Sequence, residues 1–193
     1  MTECSQEVPL FPLHTVLFPG GPVSLRIIEP RYLAMVSRCL KQKIGFGVVL
    51  ISPGSGAGSV GLEHMGTLAR IHDWGPLKDG LLGVTALGEK RFWIESMEEA
   101  KDGLTLAEVK PVPEKEAVQL PGRYRHLAQI LAQLLPQLPR PWRLVTPAMN
   151  DAAWVGCRLA ELLPVSPVEK QRLLEMDDPV QRLAEIGDYF EAT

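Results

Sequence analysis

Residues 9–35 read PLFPLHTVLFPGGPVSLRIIEPRYLAM, and this stretch decides the fold. It contains the Phe11-Pro12 and Phe18-Pro19 steps, a Gly20-Gly21 pair and the tetrapeptide Glu29-Pro30-Arg31-Tyr32. Proline is confined to strand ends and edges because it cannot donate to a ladder, and paired glycines mark a turn. The pattern predicts strands over Pro9 to Leu13 and Val23 to Ile27, with a turn between them. Pro30 then suits the first position of a helix, and Tyr32, Met35, Val36 and Leu40 fall on one face of it at helical spacing. Glu29 sits where a carboxylate favours the N-terminal helix dipole. Arg31 has Glu29 or a carboxylate on another strand as its expected partner, so the tetrapeptide reads as a device that aims a helix, not as a catalytic group.

Outward from this stretch, short apolar runs punctuated by Gly, Pro and Asp continue to about Val112. They predict strands at Ile44 to Ile51, Gly66 to Asp73, Leu81 to Leu87, Lys90 to Ser96 and Thr105 to Val109. Asp79-Gly80 reads as a tight turn, and Gly88 as a bend or bulge between two strands. Many short strands in one segment indicate a barrel or sandwich, which the helix plugs or flanks. The segment PVPEKEAVQLPG, Pro111 to Gly122, has the composition of a connector. The expected organisation is a β-rich domain over 1–112, a linker over 113–122 and a helical domain over 123–193. In the last, Tyr124, Leu127, Ala128, Leu131, Leu134 and Leu135 share a helical face that Pro136 terminates. Asp151 is placed to cap a helix running to about Leu163, Ser166 and Glu169 form a capping-box pattern around Pro167, and Asp178 precedes Pro179 in the same way. The helices amount to a bundle of about four.

The chain has 193 residues, 46% hydrophobic and 22% charged, which suits a globular protein with a core of its own. A net charge of −3, with acidic and basic residues interspersed, argues against a nucleic-acid partner, since that binding rests on clustered cations. The odd set Cys4, Cys39 and Cys157 shows no CxxC and no disulfide framework. No signal peptide or apolar membrane span is apparent, and the expected location is the cytoplasm.

Motifs that carry chemistry are weak. Gly56, Gly58 and Gly61 spell GxGxxG after an expected strand, but the following residues lead into another strand, so no helix N-terminus is available for a pyrophosphate. A flexible hairpin loop is the better reading. His14, His64, His72 and His126 stand singly with no ligand spacing, and no pattern pairs a serine nucleophile with a base. Neither a metal nor a cofactor is expected. Trp74, beside Gly75-Pro76, and Trp142, within PRPWR, fall in expected loops and are the candidate substrate contacts, with a core-lid role as the plainer reading.

The opening stretch resembles the N-terminal, substrate-recognition domain of the Lon family of ATP-dependent proteases. The resemblance extends through Gly66-Thr67, the Asp79-Gly80 turn, Gly88, Arg91-Phe92, and the C-terminal LAELLPVSPVEKQRLLEMDDPVQRLAEI. It rests on Phe11, Pro12, Phe18, Pro19, Gly20, Glu29, Pro30, Arg31, Tyr32, Gly66, Gly80, Gly88 and Arg91. It implies an α+β fold: a PUA-like pseudo-barrel of short, mostly antiparallel strands with one helix, followed by a helical bundle. It also implies a stand-alone, non-catalytic module that binds proteins or peptides, including unfolded segments, as adaptor or regulator in proteolysis. The sequence contains neither a Walker motif nor a Ser-Lys protease module. Competing readings are a small-molecule site or enzyme in the cleft between barrel and bundle, and RNA binding through a basic stripe of Arg70, Lys78, Lys90 and Arg91.

Overall fold

The computed structural model describes residues 5–52, 61–113 and 115–191. Strand β1 (Gln6–Leu13) is followed by β2 (Pro22–Ile27), helix α1 (Pro30–Gln42), β3 (Phe46–Ile51), β4 (Leu62–Pro76), β5 (Leu82–Glu99) and β6 (Thr105–Pro111). Helices α2 (Arg125–Leu134), α3 (Ala152–Leu162), α4 (Pro167–Glu175) and α5 (Pro179–Glu191) complete the chain, with 3-10 turns at Gly122–Tyr124, Leu135–Gln137 and Arg140–Leu144.

The strands form one six-stranded sheet in the order β2-β5-β4-β3-β1-β6, and a further β5–β6 pairing closes it on itself. All pairings are antiparallel except β1 with β3, whose crossover carries α1. Closure removes the exposed ladder groups that an open edge would leave. Strand β5 makes closure possible by its length. Residues Leu82 to Leu87 pair with β2, and Phe92 to Glu99 pair with β6 along the same edge. The segments expected as separate strands, Leu81 to Leu87 and Lys90 to Ser96, are therefore one. Gly88 does mark an irregularity, a register shift against Thr67 to Ala69, but the strand continues through it. At the other end of β4, the hairpin turn uses Gly80 at φ +83, a conformation that glycine adopts without strain.

Helix α1 has Pro at its first position, as expected, and buries Met35, Val36 and Cys39 against Phe11, Phe46 and Val84. Arg31 pairs with Glu29 at 2.7 Å and donates to the Gly103 carbonyl, also at 2.7 Å, so its second partner is backbone and not a strand carboxylate. Its helix neighbour Tyr32 lies 4.3 Å from the Phe11 ring, centroid to centroid. Two conspicuous elements of the opening stretch thus hold α1 against β1.

The helical caps form as their sequences require. Asp151 accepts from the Ala153 and Trp154 N–H groups, and Ser166 and Glu169 form a reciprocal capping box. Asp178 accepts from Val180 and Gln181. The helices pack through Leu127, Leu131, Leu159, Leu173 and Ile186 onto Phe18, Leu50 and Met65 of the β-rich part. Segment 113–122 is anchored where it reaches α3: the Val118 carbonyl accepts from Ala152, and Leu120 donates to Asn150.

Candidate functional site

On the outer edge of β5, the partner strand changes from β2 to β6, and residues 88–91 lie in the gap. The turn at Phe18 to Gly21 fills it. Gly20 donates to the Gly88 carbonyl and Gly88 donates to the Gly21 carbonyl, each at 2.8 Å, which replaces the missing ladder bonds. The Thr67 hydroxyl, fully buried, donates to the Leu17 carbonyl at 2.6 Å. Gly20 adopts φ +76, and a side chain on Gly88 would strike the Phe18 carbonyl. The motif residues Phe18, Pro19, Gly20, Thr67 and Gly88, dispersed along the sequence, therefore meet at one place, while Gly66 lies against Val48, Val49 and Phe92.

Helix α3 supports the turn from below. Its Arg158 is completely buried, donating through Nε to Glu161 and through Nη2 to the Pro19 carbonyl, both at 2.7 Å. Glu161 also accepts from the Phe18 N–H. Gly21 has to lack a side chain, because a Cβ there would lie 2.6 Å from Glu161 Cδ. Burial pushes the Glu161 carboxyl up to about 7 against the opposing pull of Arg158 and the Phe18 N–H. Arg158 Nη1 has no acceptor among the described residues and lies 2.8 Å from where a Gly20 Cβ would stand.

A cleft of about 390 Å³ opens at this junction. The rim of the turn contributes Pro19 and Gly20, β5 contributes Glu89, Lys90 and Arg91, and the chain leaving β6 contributes Val112, Lys115 and Glu116. From the helical side come Asp151, Trp154 and Cys157, with Leu174, Asp177 and Arg182 at the α4–α5 connection. Arg91 ties the two sides together: it donates to the Leu174 carbonyl and pairs with Asp177, both at 2.8 Å. Arg182 donates to the Leu173 carbonyl at 2.8 Å and to that of Met176. Both guanidinium groups serve the C-terminal carbonyls of α4, which no intrahelical donor reaches. Cys157 is buried and its thiol is pushed up by desolvation, which keeps it protonated and inert.

The cleft does not include the tryptophans singled out by sequence. Trp74 belongs to β4, paired with Val84, and is not in a loop; at 59% exposure it is no core lid either. Trp142 is half-buried in the 3-10 turn Arg140–Leu144, which lies against β2. The tryptophan in the cleft is Trp154, whose sequence signal was only that of a helix face. All four histidines are exposed, and among the described residues no cluster could hold a metal. Most of the GxGxxG segment lies outside the described residues; at its margins the Ser52 N–H donates to the Gly61 carbonyl. The basic stripe proposed for RNA is interrupted, since Arg70 pairs with Glu89 and Arg91 with Asp177. Among the described residues, no helix is long and apolar enough to cross a membrane.

The family model of the ATP-dependent protease La (LON) substrate-binding domain matches residues 7–191. The chain is 32% identical over 195 residues to a Lon protease from Phenylobacterium zucineum, covering 95% of this chain and 24% of that protein. It is 27% identical over 135 residues to the protein cereblon of Xenopus tropicalis, covering 65% of this chain and 29% of that one. The chain thus spans about a quarter of the length of these relatives. Among solved structures, a Lon N-terminal domain protein from Xanthomonas campestris aligns with a TM-score of 0.78 and 35% identity, over 95% of this chain and 98% of that one. The N-terminal domain of a Mycobacterium avium complex Lon protease shares the fold, with a TM-score of 0.64 and 20% identity over 95% and 97% of the two chains.

Proposed function

This chain belongs to the family of Lon substrate-binding domains, and from that premise we propose that it recognises protein substrates by non-catalytic binding, as an adaptor or regulator in proteolysis. The observation that carries the reading is the match of a substrate-binding family model over residues 7–191. The targets in this reading are unfolded segments, which expose apolar side chains and backbone together. Surface suited to such contacts is present: Trp74 is 59% and Ile28 65% exposed, and Trp93 and Met97 are exposed on β5. Exposed aromatic side chains are the kind of anchor that a recognition surface uses. The expected organisation, a PUA-like barrel over 1–112 joined through 113–122 to a helical bundle over 123–193, would give that surface a rigid frame.

The test is sedimentation of the purified protein with a reduced, carboxymethylated model protein and with the same protein in its native form. Co-sedimentation with the unfolded form alone is the expected result. Equal binding of both forms, or of neither, refutes the proposal.

A further inference from the structure

We propose that the outer edge of β2 receives an extended segment of the unfolded protein as an added strand, held by main-chain hydrogen bonds. The inference rests on the substrate-recognition reading above and gives it a place and a mode of binding.

Closure through β5 and β6 leaves β2 outside: among the described residues it is the one strand with a single neighbour, β5. Which of its main-chain groups face outward follows from the register. In an antiparallel pair, alternate residues exchange both bonds, and the residues between them point the other way. The Gly88 N–H donates to the Gly21 carbonyl, which sets the phase, so Val23, Leu25 and Ile27 are the residues bonded to Ala86, Val84 and Leu82. The far side of β5 agrees: Leu77 donates to Leu81 across the hairpin, so Gly83 and Thr85 are the residues that bond to β4. The N–H and C=O groups of Ser24 and Arg26, and the carbonyl of Pro22, therefore point away from the sheet. No hydrogen bond to any of them is formed by the described residues, and the turn Arg140–Leu144 lies against β2 without bonding to it. Ser24 and Arg26 are both exposed, so the edge is accessible to a partner.

Two donors and three acceptors at two-residue spacing match the main chain of one extended segment of about five residues. A folded protein has its own main chain already paired, whereas an unfolded one offers unpaired groups along its whole length. Bonds to main chain do not depend on sequence, as a site that accepts many unfolded segments requires. Apolar side chains of the segment have neighbours at the edge: Ile28, 65% exposed, directly follows β2, and Leu144, 40% exposed, belongs to the turn that lies against it. In a pair of β2 edges both strands would lack the donor that Pro22 withholds, which disfavours a second copy as the occupant.

The experiment is amide hydrogen exchange read by NMR on the intact protein, alone and saturated with the reduced, carboxymethylated model protein. Alone, the Ser24 and Arg26 amides should exchange within about tenfold of an unstructured peptide, while Val23, Leu25 and Ile27 are protected. With the unfolded protein bound, Ser24 and Arg26 should slow by about tenfold or more and the other three should change little. The Ser24→Pro variant removes an outward N–H and no bond to β5, and should bind about fivefold weaker; Ser24→Ala, which keeps that N–H, should bind as the parent does. Binding of unfolded protein without slowing at Ser24 and Arg26 overturns the inference and leaves the recognition reading standing, whereas absence of binding removes both. Equal loss of affinity in Ser24→Ala also overturns it, since the side chain would then be the contact. So does slow exchange of the two amides in the protein alone, which shows the edge already covered, or paired with a second copy where the slowing grows with protein concentration.

Discussion

Replacing Gly21 by Ala tests whether the glycine pair exists for the sake of the buried ion pair beneath it. The added Cβ would stand 2.6 Å from Glu161 Cδ and 2.8 Å from Oε2. The carboxylate has no easy retreat, since it is 8% exposed and fixed by Arg158 and the Phe18 N–H. Forcing a methyl into a close-packed site costs about 1–3 kcal/mol. Detaching the carboxylate from a buried guanidinium costs about 3–5 kcal/mol when complete. Partial relaxation of both places the expected loss at about 3 kcal/mol, or about 1.5 M in the urea midpoint for a slope of about 2 kcal/mol/M. Gly187→Ala is the control: it lies in α5 with nothing within 4 Å of its would-be Cβ, and should gain about 0.5–1 kcal/mol from helix propensity. Combining Gly21→Ala with Glu161→Ala should give less than the sum of the single effects, because the second change removes the obstruction. A Gly21→Ala protein within about 0.5 kcal/mol of the parent, or strict additivity in the cycle, refutes the reasoning.

Glu161 also makes stability depend on pH. Its folded value of about 7 exceeds the ordinary 4.5, so the native state holds a proton that the unfolded chain releases. The contribution is fully present below about pH 4.5 and is lost as pH rises through 7, at most about 3 kcal/mol for a difference of 2.5 units. Urea unfolding from pH 5 to 8 should show this decline in the parent and not in Glu161→Gln; parallel profiles would sink the assignment. Arg91→Ala should cost about 2–3 kcal/mol, because the α4 carbonyls lose a charged donor and Asp177 its partner. Thermal unfolding measures it, and a loss below about 1 kcal/mol would show that Arg91 does not hold the two sides of the cleft together.

The sequence revealed features governed by neighbours along the chain. Asp151, Ser166 and Asp178 cap their helices because capping is decided within three residues, and Pro30 opens α1 for the same reason. Read locally, Gly88-Glu89-Lys90 looks like a turn and divides strand β5 in two. Its continuity depends on the remote turn that supplies hydrogen bonds across the gap. Gly75-Pro76 points to a loop at Trp74 on local grounds, whereas the ladder partner Val84 holds it in a strand. The cleft was invisible as a site because its walls lie near residues 19, 90, 115, 154 and 182. One signal was available for the ion pair that supports the turn: α3 reads AAWVGCRLAEL, apolar around nearly its whole circumference, so an arginine within it has to be buried and paired, with Glu161 one turn later.

The positions on which the resemblance rests are largely those that join sheet to helices. Phe18, Pro19, Gly20, Gly88 and Arg91 seat the turn, accommodate it or bind α4, and Glu29 to Tyr32 fix α1 against β1. Each is committed to contacts inside the protein, so a change at any of them alters the frame before it alters a partner. At the cleft, Lys90 and Glu116 have no side-chain partner among the described residues, whereas Lys115 donates to the Asp177 carbonyl and the Trp154 ring faces the Arg158 guanidinium at 5.8 Å. They adjoin the signature without belonging to it. Substitution at Lys90 or Glu116 should therefore leave stability unchanged, whereas substitution within the frame should lower it, a difference that urea unfolding reads directly.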